Sequence, residues 1–482
     1  MWRVAVRSLV GLSGLALLAA GCADAPDEVA TTGVERIAGV APTTEPPLID
    51  AGATASPALT PTLPPTTTIA ATTTTIPAPA PTPTTTPTAT STATSTAPPT
   101  PTTTTTTSTT ATVPDAGCCG EGRLEIFVTA KSAFDVWTSG GHWDWMNEHY
   151  DSMVVWEPYW DSRLDSYDDV TVYRDAYAIK TNTDKDRRSV DHPDWLLRDA
   201  AGDPVYIPFA CNGGCPQFAA DVGNPAFRDD WIARVQASVD RGYRGLLIDD
   251  VNMLWRFSDV NGGDIEPIDP RTGAVLTLAD WQRYMTEFME QVRAAFPQLE
   301  IWHNSIWYAD SPTFDNALVD RQIRAADVIQ LERGMNDLGL KSGTSKYGMQ
   351  TFMTFIDRVH ANGAGVALLD ENAVDIQGQW YNIAGGLLVN NGRDLVTTED
   401  WDLIAPGGLF DGYLTDLGHA LGPRAVVDGT IQREFTGGLV VMNEPRSDPV
   451  TVDLGGSWLT PEGDAVTSVT LDTREAIVLT RP

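Results

Sequence analysis

Short apolar runs alternate with longer stretches of helical periodicity from about residue 120 onward. In the stretch 278–296, Trp281, Met285, Phe288 and Val292 recur every three or four positions, which predicts a helix with one buried face. Strands that alternate with helices of this length indicate βα units around a parallel sheet. The predicted strands are 124–128, 152–157, 170–173, 245–248, 299–302, 328–331 and 365–369, and the predicted helices are 228–241, 278–296, 313–326 and 347–362.

The number of strands favours a closed barrel over an open sheet. Seven strands are visible and an eighth is expected within 387–396, so we predict a (β/α)8 TIM barrel over residues 118–420. No Gly-x-Gly-x-x-Gly follows the first strand, which argues against a nucleotide-binding sheet. Residues 421–482 change to short alternating strands, which predict a small, sandwich-like antiparallel β domain. Its predicted strands are 424–428, 431–435, 438–443, 450–454, 466–471 and 476–479.

The first 21 residues have the composition of an export signal of the lipoprotein type. Arg3 and Arg7 precede an apolar stretch, 9–20, that is too short to span a bilayer. The following Leu18-Ala-Ala-Gly-Cys22 resembles a bacterial lipobox, which implies cleavage before Cys22 and lipidation of that residue. We therefore expect an extracellular protein that meets the membrane only through its lipid, or a freely secreted protein where the lipobox is not used.

Residues 22–117 are dominated by Thr, Pro, Ala and Ser. Such a segment has too little large apolar surface to offset the entropy of ordering it, so we predict a disordered linker. Its prolines favour extended conformations, and the linker could act as a stalk that carries the barrel away from the membrane. Composition does not distinguish a glycosylated stalk from a bare one.

Charge narrows the class of partner. The chain has 64 acidic against 32 basic residues, a net charge of −32. This excess argues against nucleic acid and anionic lipid headgroups, because both require clustered Lys and Arg. We expect a monomer without cofactor or bound metal. The stretch from Asp259 to Asp264 has the composition of a calcium loop without the spacing of an EF-hand. Esterase and zinc-protease motifs are missing.

Five cysteines suit an exported protein. If Cys22 carries lipid, Cys118, Cys119, Cys211 and Cys215 remain, and they allow three pairings. A bond between Cys211 and Cys215 could close a small loop through the two glycines between them, and cross-pairing with the adjacent Cys118 and Cys119 is the alternative. A zinc site is the remaining interpretation, although no His lies at ligand spacing.

Acids and amides follow most of the predicted barrel strands. One such residue is ordinary, because loops are polar and helix N-caps favour Asp and Asn. Their repetition is informative, since a barrel brings the carboxyl ends of its strands to one cleft. Carboxylates with few bases suit glycosidic bond cleavage, in which one acid protonates the leaving oxygen and a second carboxylate attacks or activates water. The candidates are Glu157, Asp175, Asp221, Asp249, Asp250, Asn252, Asn304, Glu332 and Asp370.

Two runs of the chain, 218–228 and 241–252, resemble (β/α)8 glycoside hydrolases, in particular the hypothetical glycosyl hydrolase family 15 group. The second run includes Ile248-Asp-Asp-Val-Asn252, and the run 433–443 is similar to the short C-terminal β domain of that group. The resemblance implies a fold and a reaction class, and it leaves the sugar open.

The resemblance also implies roles for the candidate residues. It makes Asp249, at the end of the fourth barrel strand, the nucleophile, and Glu332, at the end of the sixth, the general acid/base. Asp370 is the alternative acid, and His303 could hold a sugar hydroxyl or be structural. An Asn-Glu ending of the fourth strand, common in β-glycosidases, is absent, which favours an α-linkage. The residues expected to bind substrate are Asp250, Asp221, Asn304, Asp370, Glu157, Asp175 and Asn252.

We therefore expect a glycosidase that cleaves an extracellular or cell-envelope polysaccharide, with two carboxylates and retention of configuration. The alternative is a non-catalytic, carbohydrate-binding surface lipoprotein, because a barrel can host many functions. A deacetylase or lyase would require metal ligands or a base that the sequence does not offer. The sequence leaves open the sugar, the linkage, endo or exo action, and retention against inversion.

Overall fold

The computed structural model describes residues 121–129, 142–167, 169–211, 213–308, 316–398 and 404–482. The predicted signal peptide, the linker, Cys22, Cys118 and Cys119 lie outside these residues. Within the described ranges, no helix is both long enough and apolar enough to cross a membrane.

Eight parallel strands close into a barrel, as the sequence predicts. In chain order, the first ten strands are β1 (Glu125–Thr129), β2 (Ser152–Val155), β3 (Val170–Asp175), β4 (Ala178–Lys180), β5 (Gln217–Ala219), β6 (Gly245–Asp249), β7 (Glu300–Asn304), β8 (Val328–Glu332), β9 (Gly365–Asp370) and β10 (Leu395–Thr398). Here β4 and β5 form a separate antiparallel pair. The other eight follow one another around the barrel, and β1 closes on β10. The fourth and sixth barrel strands are therefore β6 and β8.

Helices cover the outside of the barrel. In the described part of the chain they are α1 (Trp143–His149), α2 (Arg188–Asp191), α3 (Pro225–Arg241), α4 (Leu278–Ala295), α5 (Ala317–Arg324), α6 (Met349–Ala361) and α7 (Ile376–Val389). Asn224 caps the start of α3 by accepting a hydrogen bond from the Ala226 amide, and Gly242, at φ 117°, ends it. The chain then enters β6 at Gly245, where a Cβ would lie 2.2 Å from the Thr171 hydroxyl, so only glycine allows β3 and β6 to pair.

Side chains alternate between the inside and the outside of the barrel. The inner layer packs together and is separate from the larger core beneath the helices. Because the side-chain period of a strand is two, residues two positions beyond this layer also point inward, at the carboxyl ends of the strands. Asp249 follows Leu247 in this way, and Asn304 follows Trp302. The inner layer consists of Phe127, Val154, Leu247, Trp302, Val328, Ala367 and Leu395.

The structure corrects the predicted position of the eighth strand. That strand is β10, whereas residues 387–389, which the pattern assigned to the strand region, form the last turn of α7. Helix α7 packs against both β10 and the C-terminal sheet and is buried along most of its length. A helix buried on all sides shows no amphipathic period, so its apolar end looks like a strand. Helix α5 is also shorter than predicted, and residues 313–315 lie outside the described ranges.

The six predicted C-terminal strands form a single antiparallel sheet rather than the sandwich-like pair we expected. One face of this sheet joins the barrel core through α7, and the other face encloses a small core around Val441 and Trp458. The sheet order is β11-β12-β13-β16-β14-β15. The strands are β11 (Ala425–Val427), β12 (Thr430–Glu434), β13 (Gly438–Met442), β14 (Val450–Leu459), β15 (Ala465–Leu471) and β16 (Ala476–Thr480).

The amino-terminal end of the barrel gives a testable pH dependence. Burial, and the acids Asp151, Glu300 and Asp394, raise the pKa of Glu125 to about 7 from 4.5. Folding therefore favours protonated Glu125, so its stabilising contribution is complete below about pH 4.5 and is lost as the pH rises to about 7. Glu125→Gln should raise the thermal unfolding midpoint at about pH 8 and leave it unchanged at about pH 4. Circular dichroism melts at both pH values would test this, and equal melting at pH 8 would contradict it.

Candidate active site

Inward-facing polar side chains from four strands meet at the carboxyl end of the barrel. Asp249 ends β6, Asn304 ends β7 and Glu332 ends β8, so three neighbouring strands finish in a polar residue. On the other side of β6, Asp175 of β3 lies opposite Asp249 in the strand register. Tyr173 lies one inward position earlier on β3. The barrel thus brings five candidate polar groups to one cleft.

Asn304 connects the two acids that are best placed for chemistry. Its Nδ2 donates to Oδ1 of Asp249 at 2.8 Å and to Oε1 of Glu332 at 2.8 Å. Because both oxygens contact one nitrogen, they lie no more than twice that distance apart, about 5.6 Å. The side chain of Asn304 is itself largely buried, which limits its movement. The separation of the two carboxyl groups is therefore set by a single amide.

Asp249 is surrounded by hydrogen-bond donors. The Tyr173 hydroxyl donates to its Oδ2 at 2.6 Å, and the backbone amide of Asp250 donates to its Oδ1 at 2.8 Å. With the Asn304 amide, these make three donated bonds to one carboxyl group. These bonds fix the orientation of the Asp249 carboxyl group.

Glu332 combines solvent access with an altered proton affinity. Its side chain is exposed to solvent. The surrounding protein and the negative charge of Asp249 raise the pKa of Glu332 to about 7, against a smaller lowering by the Asn304 amide. Glu332 can therefore carry a proton near neutral pH while its carboxyl group remains accessible to a ligand.

Two further acids crowd the same region. Oδ1 of Asp175 accepts hydrogen bonds from the backbone amides of Tyr177 and Ala178 at 2.8 and 2.7 Å, yet burial and the charge of Asp249 raise the pKa of Asp175 to about 7. Burial, with the charges of Asp249 and Asp175, also raises the pKa of Asp250 well above its usual range. The neighbours of Asp249 are thus acids that tend to hold protons.

Asp250 and Asn252 form a turn beside the cleft. Asp250 has φ 56°, a left-handed conformation that Asp and Asn tolerate better than other side chains with a Cβ. Its Oδ1 accepts a hydrogen bond from Asn252 Nδ2 at 2.8 Å, and Nη1 of Arg256 lies 3.9 Å away. Oδ1 of Asn252 in turn accepts from the Ile306 amide at 3.1 Å. Asn252 therefore supports Asp250 and the start of the next loop.

The structure does not bring Glu157 to the cleft. Glu157 is paired with Arg174 and Arg241 and accepts a hydrogen bond from the Ser238 hydroxyl at 2.6 Å. These partners lie on the outer face of β3 and on α3. Glu157 follows the inward position 156 by one residue, so it points outward and links a strand to a helix.

Asp370 and Asp221 also lie apart from the shared donor. Asp370 is fully buried on the outer side of β9, where both the backbone amide and Nδ2 of Asn336 donate to it at 3.1 and 2.8 Å. Asp221 is paired with Arg271 at 2.9 Å in the loops before α3 and α4. His303 faces α5, where Gln322 contacts its Nδ1 at 2.8 Å, and burial lowers its pKa to about 3.

Sequence reasoning did not select Tyr173 or Trp156. Both occupy inward positions, and their rings lie 5.4 Å apart beside Asp249. An aromatic residue on a barrel strand is usually part of the core, so its residue type alone does not indicate a place in the active site. The alternation of inward positions, counted back from Asp175, would have identified Tyr173.

The described residues contain one disulfide and no candidate metal centre. Cys211 and Cys215 are bonded to each other, which is one of the pairings that the sequence allowed. No group of three or more His, Cys, Asp and Glu side chains in the described part of the chain has the arrangement of a metal site. Asp259 instead accepts hydrogen bonds from the amides of Asn261 and Gly263 at 2.7 and 3.0 Å, which closes its loop on itself.

The family model named hypothetical glycosyl hydrolase family 15 matches residues 151–439. The chain belongs to this family. The match spans every barrel strand from β2 to β10 and so includes Asp249, Asn304 and Glu332. The resemblance read from the sequence is confirmed, and so is the predicted enzyme class, a glycosidase. A comparison with curated proteins gave no match.

Several solved structures are similar to this family member over much of their own length. The maltogenic α-amylase AmyB of Thermotoga neapolitana is 11% identical, with 75% of this chain and 99% of that chain covered and a TM-score of 0.46. Trehalose-6-phosphate hydrolase of Bacillus licheniformis is 9% identical, with 75% of this chain and 99% of that chain covered and a TM-score of 0.45. The glycoside hydrolase domain of PelA from Pseudomonas aeruginosa is 12% identical, with 59% of this chain and 97% of that chain covered and a TM-score of 0.36.

The shared amide predicts how Glu332 titrates. Asn304→Leu keeps the volume of the side chain but removes the donor that favours ionised Glu332, so the pKa of Glu332 should rise above about 7. Carbon-13 NMR of the labelled Glu side chains would follow the change. Asn252→Leu is the control, because Asn252 contacts Asp250 instead, and it should move the Glu332 midpoint less. A Glu332 pKa that falls in Asn304→Leu would contradict the assigned hydrogen bond.

Proposed function

We propose that this protein is a retaining glycoside hydrolase in which Asp249 is the nucleophile and Glu332 the general acid/base. One observation carries the proposal: the Asn304 amide holds an oxygen of each carboxyl group within about 5.6 Å of the other. Retaining glycosidases need their carboxyl groups roughly 5–5.5 Å apart, whereas inverting enzymes need roughly 6.5–9.5 Å to admit a water molecule. The short separation favours direct attack on the sugar.

The hydrogen bonds around the two acids favour the same division of roles. Asp249 accepts three hydrogen bonds, which hold its carboxyl group in one orientation for attack on carbon. Oε1 of Glu332 accepts from Asn304, so a proton on Glu332 belongs on Oε2, which can donate to the leaving oxygen. A pKa of Glu332 of about 7 suits a group that gives up a proton and later takes one back.

The reaction proceeds in two steps. In the first, a carboxylate oxygen of Asp249 bonds to the anomeric carbon while Glu332 protonates the departing glycosidic oxygen, and a glycosyl ester forms on Asp249. In the second, ionised Glu332 takes a proton from water, which attacks the same carbon and frees Asp249. Each step inverts the configuration at that carbon, so the two together retain it.

The proposed substrate is a polysaccharide outside the cell or in its envelope. The export signal, the lipobox around Cys22 and the linker 22–117 support an extracellular, lipid-anchored enzyme. The Cys211–Cys215 disulfide is in keeping with an oxidising compartment. A pair of acids on the fourth and sixth strands, without an Asn-Glu ending of the fourth, favours an α-linked sugar.

Loss of the nucleophile tests the assignment. The full-length protein would be incubated with bacterial-envelope and plant polysaccharides, and new reducing ends would be measured. With a substrate identified, Asp249→Asn should lower kcat by at least about 10³-fold, the scale on which loss of a catalytic group acts. Binding of the polysaccharide, followed by calorimetry, should persist because Asn keeps the shape and most of the hydrogen bonds.

Asp250→Asn is the matched control, because it changes the adjacent carboxyl group in the same turn and Asn tolerates the same left-handed backbone. It should lower kcat much less than Asp249→Asn does. Equal losses in the two variants would remove the distinction between the two acids. Full turnover in Asp249→Asn would place the nucleophile elsewhere, and binding without any hydrolysis by the wild-type protein would favour the carbohydrate-binding alternative.

A further inference from the structure

The chain leaves Glu332 along a constrained backbone path. Arg333 and Gly334 have φ 71° and 52°, so two consecutive residues are left-handed. The turn packs closely against the end of β9, since a Cβ at position 334 would lie 3.0 Å from the Cβ of Asp370. This contact and the left-handed backbone favour glycine at position 334. The residues that follow Glu332 therefore determine where its backbone lies.

Asp370 holds the next part of this loop. Its Oδ2 accepts hydrogen bonds from the backbone amide and the side-chain Nδ2 of Asn336 at 3.1 and 2.8 Å, and its Oδ1 accepts from the Asn372 amide at 3.1 Å. Met335, between the turn and Asn336, is buried where Gly385 of α7 leaves room, because a Cβ there would lie 2.3 Å from its Cγ. Asp370 thus anchors the loop that begins after the acid.

A second anchor comes from the C-terminal sheet. Arg474, in the turn between β15 and β16, donates Nη1 to the carbonyl oxygen of Asn336 at 2.9 Å. Its Nη2 donates to the carbonyl oxygens of Asp337 and Leu340 at 2.6 and 3.5 Å. The planar guanidinium group can donate in several directions at once, which a lysine ammonium on a flexible stem does less well. Arg474 therefore fastens three carbonyl groups of one loop.

The connection between β13 and β14 of the C-terminal domain binds the same loop at further points. Glu444 accepts hydrogen bonds from the backbone amide of Gly343 and, at 2.6 Å, from the side chain of Gln350. Arg446 donates to the carbonyl oxygen of Leu338 at 2.9 Å. The loop between β8 and α6 is thus bound by the C-terminal domain at several points.

We propose that Arg474 is a positioning residue for the active site, acting through Asn336 and the turn at Gly334 on the backbone that carries Glu332. The C-terminal sheet then completes the catalytic cleft from outside the barrel. The effect of Arg474 on catalysis rests on the proposed function of Glu332 as general acid/base. The effect of Arg474 on the position of Glu332 does not depend on that function.

The position of the Glu332 backbone maintains the hydrogen bond between Asn304 and Glu332. At 2.8 Å it is close to the optimum, and a displacement of about 1 Å would break it. A shift of the backbone, unlike loss of the Asn304 donor alone, would carry the Glu332 carboxyl group away from Asp249 and further into water. Its pKa would then fall towards the ordinary value of 4.5, because both of the main causes that raise it would weaken.

Arg474→Met in the full-length protein removes the donors and keeps the bulk of the side chain. Hydrogen exchange followed by mass spectrometry should show the amides of 333–348 exchanging about tenfold faster or more, as expected when a charged hydrogen-bond donor is lost. Coupling of Glu332 to an amine by carbodiimide, which requires the protonated carboxyl group, should have a midpoint below about pH 7. On a hydrolysed polysaccharide, kcat should fall with little change in KM.

Arg481→Met is the matched control. Arg481 directly follows β16 and donates to Thr436 and Glu434, so its loss should leave both readouts at wild-type values. Arg474→Lys keeps the charge and should give an intermediate result, and it replaces the Met variant if that protein does not fold. Wild-type exchange in 333–348 together with an unchanged Glu332 midpoint would overturn the proposal. Hydrogen exchange and carbodiimide coupling do not require catalysis, so they test the positioning proposal independently of the proposed function. The proposed function would be contradicted by a different result, full activity of Asp249→Asn and Glu332→Gln.

Discussion

The site depends on one amide group that donates to two acids. Asn304 can reach both Asp249 and Glu332 because β7 lies between β6 and β8 in the closed barrel, and β8 continues two residues beyond Gln330, the partner of Asn304 in the strand register. Closure fixes the register of these strands, so the positions of the three side chains follow from the core below them. The packed inner layer, from Phe127 to Leu395, therefore positions the polar groups above it.

The same arrangement explains how one anion exists among several acids. Carboxyl groups this close cannot all ionise at neutral pH, since each charge opposes the next. The negative charge of Asp249, whose carboxyl group accepts three hydrogen bonds, contributes to raising the pKa values of Glu332 and Asp175 to about 7. The cleft thus separates a carboxylate from proton-carrying neighbours, a separation that glycosidic cleavage requires.

Sequence reasoning predicted the barrel and the pair Asp249 and Glu332 from strand periodicity and from a family resemblance. It could not tell which strand-end acids face inward, because a shift of one residue moves a side chain to the opposite face. Glu157 and Asp370 each follow an inward position by one residue, and both lie on the helix side. In the run that ends at Asp370, apolar residues occupy both faces of the strand. The sequence pattern therefore does not show which of these side chains point into the barrel. The contact between Arg474 and Asn336 spans 138 residues and depends wholly on how the C-terminal sheet docks.

The measurement that tests this account most directly is the configuration of the first product. Proton NMR of a hydrolysis reaction, recorded before mutarotation, distinguishes the two anomers of the released sugar. The short distance that Asn304 imposes predicts a product with the same anomeric configuration as the substrate. A first product of opposite configuration would contradict a covalent intermediate on Asp249, and with it the role assigned to the shared amide.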